Sequence, residues 1–341
     1  MNILSDKDRA DFSRRRFLAN TSALGAASFL GLSRTAAAEP PPEITTLKLT
    51  AFPVACIAPQ FIAEPLLKAE GFTDVRYIEV DTTAAGPFVG PGQADFDVDA
   101  VTPVLTYIDG EAPVVTLAGL HLGCYELFGT ERVRSIRELK GKTVPIDAFG
   151  GSKHLLLSSM AAYVGLDPHK DIKWIVLPLD EGMKLFEEGK ADAFLGFPPE
   201  PQELRARRIG RVIVNTATDK PWSQYYCCMV IAHREFVRKH PIATKRALRA
   251  ILKAADLCVQ APELAARTIV DKGYARNYDY ALETLKEVRY DAWRIYNPED
   301  SMRFHALRLH EVGMIKTSPT KLIPVGTDWR FVNEIKKELK A

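Results

Sequence analysis

No run of apolar residues in this 341-residue sequence approaches the roughly 20 needed to cross a bilayer. The weakly apolar stretch at residues 23–32 is far too short for that. An excess of one charge is also missing, with 45 basic residues against 43 acidic ones. The first 38 residues hold six of the basic and three of the acidic residues, which leaves 39 against 40. A chain so near neutrality is not built to grip nucleic acid or an anionic membrane by charge alone. Any charged ligand must be met by local groups. Low complexity is confined to Pro40-Pro41-Pro42. Catalytic signatures are absent: there is no G-x-S-x-G, no H-E-x-x-H and no P-loop. The five cysteines, Cys56, Cys124, Cys227, Cys228 and Cys258, contain no paired C-x-x-C, so their spacing announces no metal site. A chain of this size does not need disulfides for its core, and buried free thiols are the expectation.

What the sequence does have begins at the amino end. Ser13-Arg14-Arg15-Arg16-Phe17-Leu18 precedes the short apolar run, and Ala36-Ala37-Ala38 follows it. A basic start, an apolar middle and a small-residue cleavage site are the three parts of an export signal. The paired arginines specify the twin-arginine route and its export machinery. No Cys follows the cleavage site, so no lipid anchor is expected. Residues 1–38 are thus predicted to be removed, leaving a soluble periplasmic chain. About 300 residues then remain, enough for two domains with separate cores. A composition 47% hydrophobic and 26% charged is ordinary for a globular chain.

Along that chain, short apolar runs alternate with amphipathic stretches, which predicts an α/β fold. Strands are expected at residues 47–51, 75–80, 96–100, 114–117, 125–129, 143–146, 174–177, 193–196, 212–215 and 227–232. A helix over 59–70 is shortened or kinked by Pro65. Further helices start at Ser152, Asp180 and Pro241, and the last hundred residues read as helical. Gly92-Gln93-Ala94-Asp95-Phe96 recurs as Gly189-Lys190-Ala191-Asp192-Ala193, each followed by a short apolar strand and a proline. The repeat predicts two lobes of like architecture, and ligands of such folds bind at the carboxyl ends of the strands.

The residues best placed to bind follow those strand ends. Gly150-Gly151-Ser152-Lys153-His154 joins a strand to a helix, so backbone N–H groups and a positive dipole end face outward. Ser152 is a natural N-cap. Asp99 and Thr102 follow the first repeat strand, and Phe197 and Glu200 follow the second. Asp97 points to the opposite face from Asp99 in a regular strand, so Asp99 is the one expected at the cleft. Tyr225 precedes the strand holding Cys227 and Cys228. His305 and His310 lie five apart on one helix and read as surface or packing residues.

Ile136-Arg137-Glu138-Leu139-Lys140-Gly141-Lys142-Thr143-Val144 resembles a segment of type II periplasmic binding proteins. Gly150–His154, the Gly189–Ala193 step and Phe236-Val237-Arg238-Lys239-His240-Pro241 resemble one branch, the nitrate, sulfonate and taurine binding proteins with the related thiamine-pyrimidine precursor proteins. The match covers nearly all of the chain after the signal. It implies two α/β lobes joined by a two-crossing hinge: residues 44–125 with 230–341 and the C-terminal helices, and residues 126–229. It implies a monomeric receptor that delivers a small organic solute, anionic or aromatic, to an ABC permease and its ATPase. No metal or cofactor is expected. The first loop departs from the branch. It reads Phe52-Pro53-Val54-Ala55-Cys56, with no anion-binding Ser or Arg, and Phe52 joins the candidate set. The acidic pair Asp97 and Asp99 argues against nitrate and simple sulfonates. Cys227-Cys228 loosely resembles the longer cysteine cluster of fungal thiamine-pyrimidine synthases. An enzyme of that type is an alternative reading, although residues 59–70 offer Lys68 and no histidine for its cofactor chemistry. A ligand-presenting periplasmic sensor is another.

Overall fold

The computed structural model describes residues 39–80, 87–90 and 93–340. The export signal, its arginines and its cleavage site lie outside the described residues, as does Gly92 of the repeat. Pro41–Ala341 forms one compact unit.

Five strands make the main sheet, in the order β2-β1-β3-β10-β4. These are β1 (Thr46–Ala51), β2 (Asp74–Glu79), β3 (Phe96–Ala100), β4 (Val114–Leu122) and β10 (Tyr226–His233). β1 runs parallel to β2 and β3, while β10 lies antiparallel to both β3 and β4. Every residue of β4 and β10 is buried. That is why their sequences read as continuous apolar runs without alternation. β5 (Glu126–Gly129) pairs antiparallel with β8 (Ala193–Gly196) and β9 (Arg211–Asn215), and β6 (Lys142–Ile146) pairs parallel with β7 (Ile172–Val176).

The repeat seen in the sequence has a physical meaning. Asp95 donates its N–H to the Lys48 carbonyl at 2.8 Å and accepts the Lys48 N–H on its carboxylate at 2.8 Å. Asp192 does the same with Thr143, at 2.9 and 2.8 Å. In each case the aspartate clamps the edge of a strand, β1 or β6, just before its own strand begins. Gly189, at φ +69°, supplies the left-handed turn leading into the second clamp.

Several expectations shift. The helix over 59–70 is two short helices, Ala58–Ile62 and Glu64–Ala69, with Pro65 in the first turn of the second, where its missing N–H costs nothing. β4 extends five residues past 117, and although it ends the sheet all nine of its residues are buried. Ser152 is not an N-cap. Gly151 takes that position, and Ser152 is the first residue of the helix Ser152–Tyr163. The turn is held instead by the Gly150 N–H donated to His154 Nδ1 at 3.1 Å and by the Gly151 N–H donated to the Ala148 carbonyl at 3.2 Å.

Two segments pass between the main sheet and the smaller ones, Gly123–Tyr125 leaving β4 and residues 216–225 leading to β10. They touch at one point. Thr216 donates its N–H to the Tyr125 carbonyl at 2.9 Å, and its hydroxyl oxygen accepts the Tyr125 N–H at 2.9 Å. Gly123 has no room for a side chain, since a Cβ would fall 2.1 Å from the Thr216 carbonyl oxygen.

Candidate functional site

The carboxyl ends of β1, β3 and β8 meet the start of the helix Ser152–Tyr163 around a cavity of about 50 Å³. Phe52 follows β1, Asp99 lies in the last turn of β3, and Phe197 follows β8. These three line the cavity with Ser152, Tyr125 and the sulfurs of Cys56, Cys124 and Cys228. The rings form one wall: Phe197 lies 6.5 Å from Phe52 and 5.7 Å from Tyr125, edge-on to the latter. A second cavity, of about 20 Å³, shares Ala100 and Tyr125 and is lined by Thr102, Tyr225 and His305. An open groove continues past Phe52 and Phe197 to Glu200 and Asn277. Small-molecule sites commonly enclose about 300–1,000 Å³ behind mostly apolar walls, a range that the groove, at about 790 Å³, reaches.

Asp99 is half-buried and held on both oxygens. It accepts the Ala100 N–H at 2.6 Å and the Tyr107 hydroxyl at 3.0 Å. Burial, reinforced by Asp97, raises its pKa to about 7. Asp97 does not line the cavity. It accepts the Thr50 hydroxyl, and burial raises it to about 6. A carboxyl raised in the fold stabilises in its protonated form. That contribution is full below the usual carboxylate range and is lost as pH rises through about 7. Asp99→Asn removes this dependence. The melting temperature of the variant relative to wild type therefore rises between pH 5 and pH 8. A constant difference across that range contradicts the assignment.

Lys153 is 2% exposed and does not line the cavity. Its Nζ lies 2.7 Å from Glu200 Oε1 and sits over the Phe194 and Phe197 rings, 4.6 and 4.9 Å from their centroids. Glu200 also accepts the Phe197 N–H at 3.1 Å, so the pair positions the aromatic wall from behind. Burial raises the Glu200 pKa, with Lys153 acting against it. His154 is turned away, its ring edge-on between Phe149 and Trp174, and burial lowers it to about 4. Gly151 shapes the turn without lining a cavity. Thr102 is buried in the second cavity, and its hydroxyl has no partner. Tyr225 stacks on Phe304 at 4.0 Å.

Sequence patterns did not point to Tyr125, Cys56, Cys124 or His121. Tyr125 sits in the first crossing segment, facing Ser152 across the cavity. His305 is a packing residue, as one of its two expected roles had it. It bonds Ser159 at 3.2 Å, and burial lowers it to about 3, so it is neutral. Cys56, Cys124 and the adjacent Cys227 and Cys228 come from three separate segments yet cluster, with Cys124 Sγ 3.3 Å from Cys227 Sγ and Cys228 Sγ 3.9 Å from Cys227 Sγ. All are free thiols. Hydrogen bonds from Cys124 and Cys228 hold Cys56 and Cys227 well below the ordinary thiol value. No pattern along the chain signals the cluster, because β10 pairing with β4 is what creates it.

The family profile described as NMT1/THI5 like matches residues 67–265. A comparison with curated proteins finds no match. Among solved structures, the periplasmic nitrate-binding protein NrtA from Synechocystis PCC 6803 superposes with a TM-score of 0.75 at 18% identity, over 88% of this chain and 90% of its own. A putative periplasmic sulfonate-binding protein, SsuA from Methylobacillus flagellatus KT, gives 0.66 at 20% identity, over 87% and 96%. The desulfurization enzyme DSZB gives 0.58 at 14% identity, over 87% and 100%. The likeness establishes the α/β fold of the type II periplasmic binding proteins. With more than half of its length matched by the profile on that architecture, the chain belongs to the NMT1/THI5-like family.

Proposed function

We propose that the chain is a periplasmic substrate-binding protein that hands a small organic solute with an aromatic face to an ABC importer. The observation that carries this reading is the cavity built at strand carboxyl ends, with Phe52 and Asp99 beside the main sheet and Ser152 and Phe197 beside the smaller ones. Open α/β sheets bind ligands at that place. Neighbours named as nitrate- and sulfonate-binding proteins support the receptor class. The lining supports a different ligand chemistry from theirs, because no Lys or Arg lines this cavity and three aromatic rings do. An inorganic anion would find no counter-charge there.

In this reading residues 44–125 and 230–341 form one lobe and 126–229 the other. The crossings near Tyr125 and Tyr226 bend as the lobes close on the solute. Arg205, on the helix Glu200–Ala206, is placed to latch that closure. It reaches Glu126 on β5 and, at 2.8 Å each, Glu283 and Glu287 on the helix Tyr278–Glu287. Lys68 pairs with Glu64 at 2.8 Å with its side chain 57% exposed, away from the cavity, which weighs against pyrimidine-synthase chemistry.

A thermal-shift screen of the chain from Glu39 tests the reading against aromatic acids, pyrimidines, alkanesulfonates and nitrate. A true ligand at 100 times its Kd stabilises by about 2.7 kcal/mol. Aromatic hits support the proposal, and hits confined to nitrate or alkanesulfonates refute the ligand assignment. Scattering profiles should contract on ligand addition. The export route has its own test: with Arg14 and Arg15 both changed to Lys, the precursor accumulates in the cytoplasm. Normal periplasmic yield of that variant rules out the twin-arginine route.

A further inference from the structure

We propose that His121 and the cysteine cluster form a binding site for one thiophilic metal ion, with zinc(II) as its probe. Two groups of three donors qualify, Cys56 with His121 and Cys228, and His121 with Cys124 and Cys227. Within each group the donor atoms all lie within 4.8 Å of one another. His121 belongs to both, so an ion on its ring has sulfurs of either group within reach.

The imidazole is the independent observation. His121 is fully buried at the end of β4, and its Nδ1 lies 2.7 Å from the Leu122 carbonyl. A carbonyl only accepts, so Nδ1 carries a proton, and in the neutral ring Nε2 presents a lone pair. That Nε2 is buried without a hydrogen-bond partner. A buried, unsatisfied acceptor costs about 1–3 kcal/mol unless something binds it. A ring N–H fixed on a backbone carbonyl, with the other nitrogen free, is the arrangement that orients metal-binding histidines.

The sulfur spacing fits the same ion. Tetrahedral zinc with bonds of about 2.3 Å places its sulfurs about 3.8 Å apart. The sulfur contacts of 3.3 and 3.9 Å bracket that value. Thiolates select zinc and copper(I) over hard cations. A disulfide between Cys124 and Cys227 would use the sulfurs and leave Nε2 unpaired. Because Cys124 lies in one crossing segment and Cys227 follows the other, an ion here also ties the two crossings together.

The test uses the chain from Glu39, reduced, chelator-stripped and kept under argon. Zinc chloride should bind at one ion per chain and raise the melting temperature. A protonated thiol must give up its proton to coordinate, so zinc uptake releases protons in weak buffer. Cobalt(II) in place of zinc should show thiolate-to-metal charge transfer. Cys124→Ser with Cys227→Ser should weaken zinc binding at least about tenfold, while Cys258→Ser, a buried thiol outside the cluster, leaves it unchanged. The unaltered protein decides the matter even if the double variant does not fold. No stoichiometric zinc binding by reduced folded protein, or a cobalt complex without charge transfer, overturns the proposal. So does undiminished affinity in a folded double variant, or a metal-free periplasmic protein with two of its thiols locked in a disulfide.

Discussion

Lys153→Met lowers the unfolding free energy by about 3–5 kcal/mol, the usual result of removing one partner of a buried ion pair. The lysine is 2% exposed and 2.7 Å from Glu200. Its loss strands a carboxylate whose pKa burial already raises. The sign with pH follows. Without Lys153, Glu200 is driven further toward its protonated form, so the variant suffers most at alkaline pH and recovers as Glu200 protonates in acid. Adding Glu200→Gln restores much of the loss, because no charge is then left unpaired. Urea denaturation at pH 5 and pH 8 for both variants measures this. A pH-independent loss of under 1 kcal/mol in the single variant shows that the pair is not buried in solution.

The second large effect falls on binding. Phe197→Ala weakens an aromatic solute at least tenfold, since ring contacts add about 0.5–1.5 kcal/mol beyond burial. The ring also packs against Phe52, Tyr125 and Lys153. Its truncation costs about 3–5 kcal/mol of stability as well, so Kd must be taken on the folded fraction by calorimetry. Phe197→Leu keeps most of the apolar volume and separates the two effects. It should restore stability more than affinity. Wild-type affinity in folded Phe197→Ala would remove this residue from the site.

The strands were legible because most are short apolar runs between turn residues, and all ten fall within a few residues of their expected places. The two aspartate clamps were visible as a repeated G-x-A-D, since a backbone requirement met twice leaves the same residues twice. The site was legible only in part. Phe52, Asp99, Ser152 and Phe197 lie at strand or helix ends, and the local pattern marks those ends. Lys153 and His154 stand in the same loop, yet the helix carries their side chains away from the cavity, and position along a chain does not encode that direction. Ser152 lost its capping role for a related reason, because the turn before it is closed by backbone and imidazole. Cys56, His121, Cys124 and Cys228 were beyond any spacing rule. Their proximity depends on which strands pair, and pairing is a property of the whole fold.

The measurement that bears most directly on the receptor reading follows the solute itself. The chain from Glu39 is incubated with the strongest hit of the screen in excess, and the complex and the recovered small molecule are both weighed by mass spectrometry. A receptor gives one solute per chain and returns every molecule chemically unchanged, however long the incubation. A product that accumulates beyond one equivalent per chain would contradict the account and make this protein an enzyme.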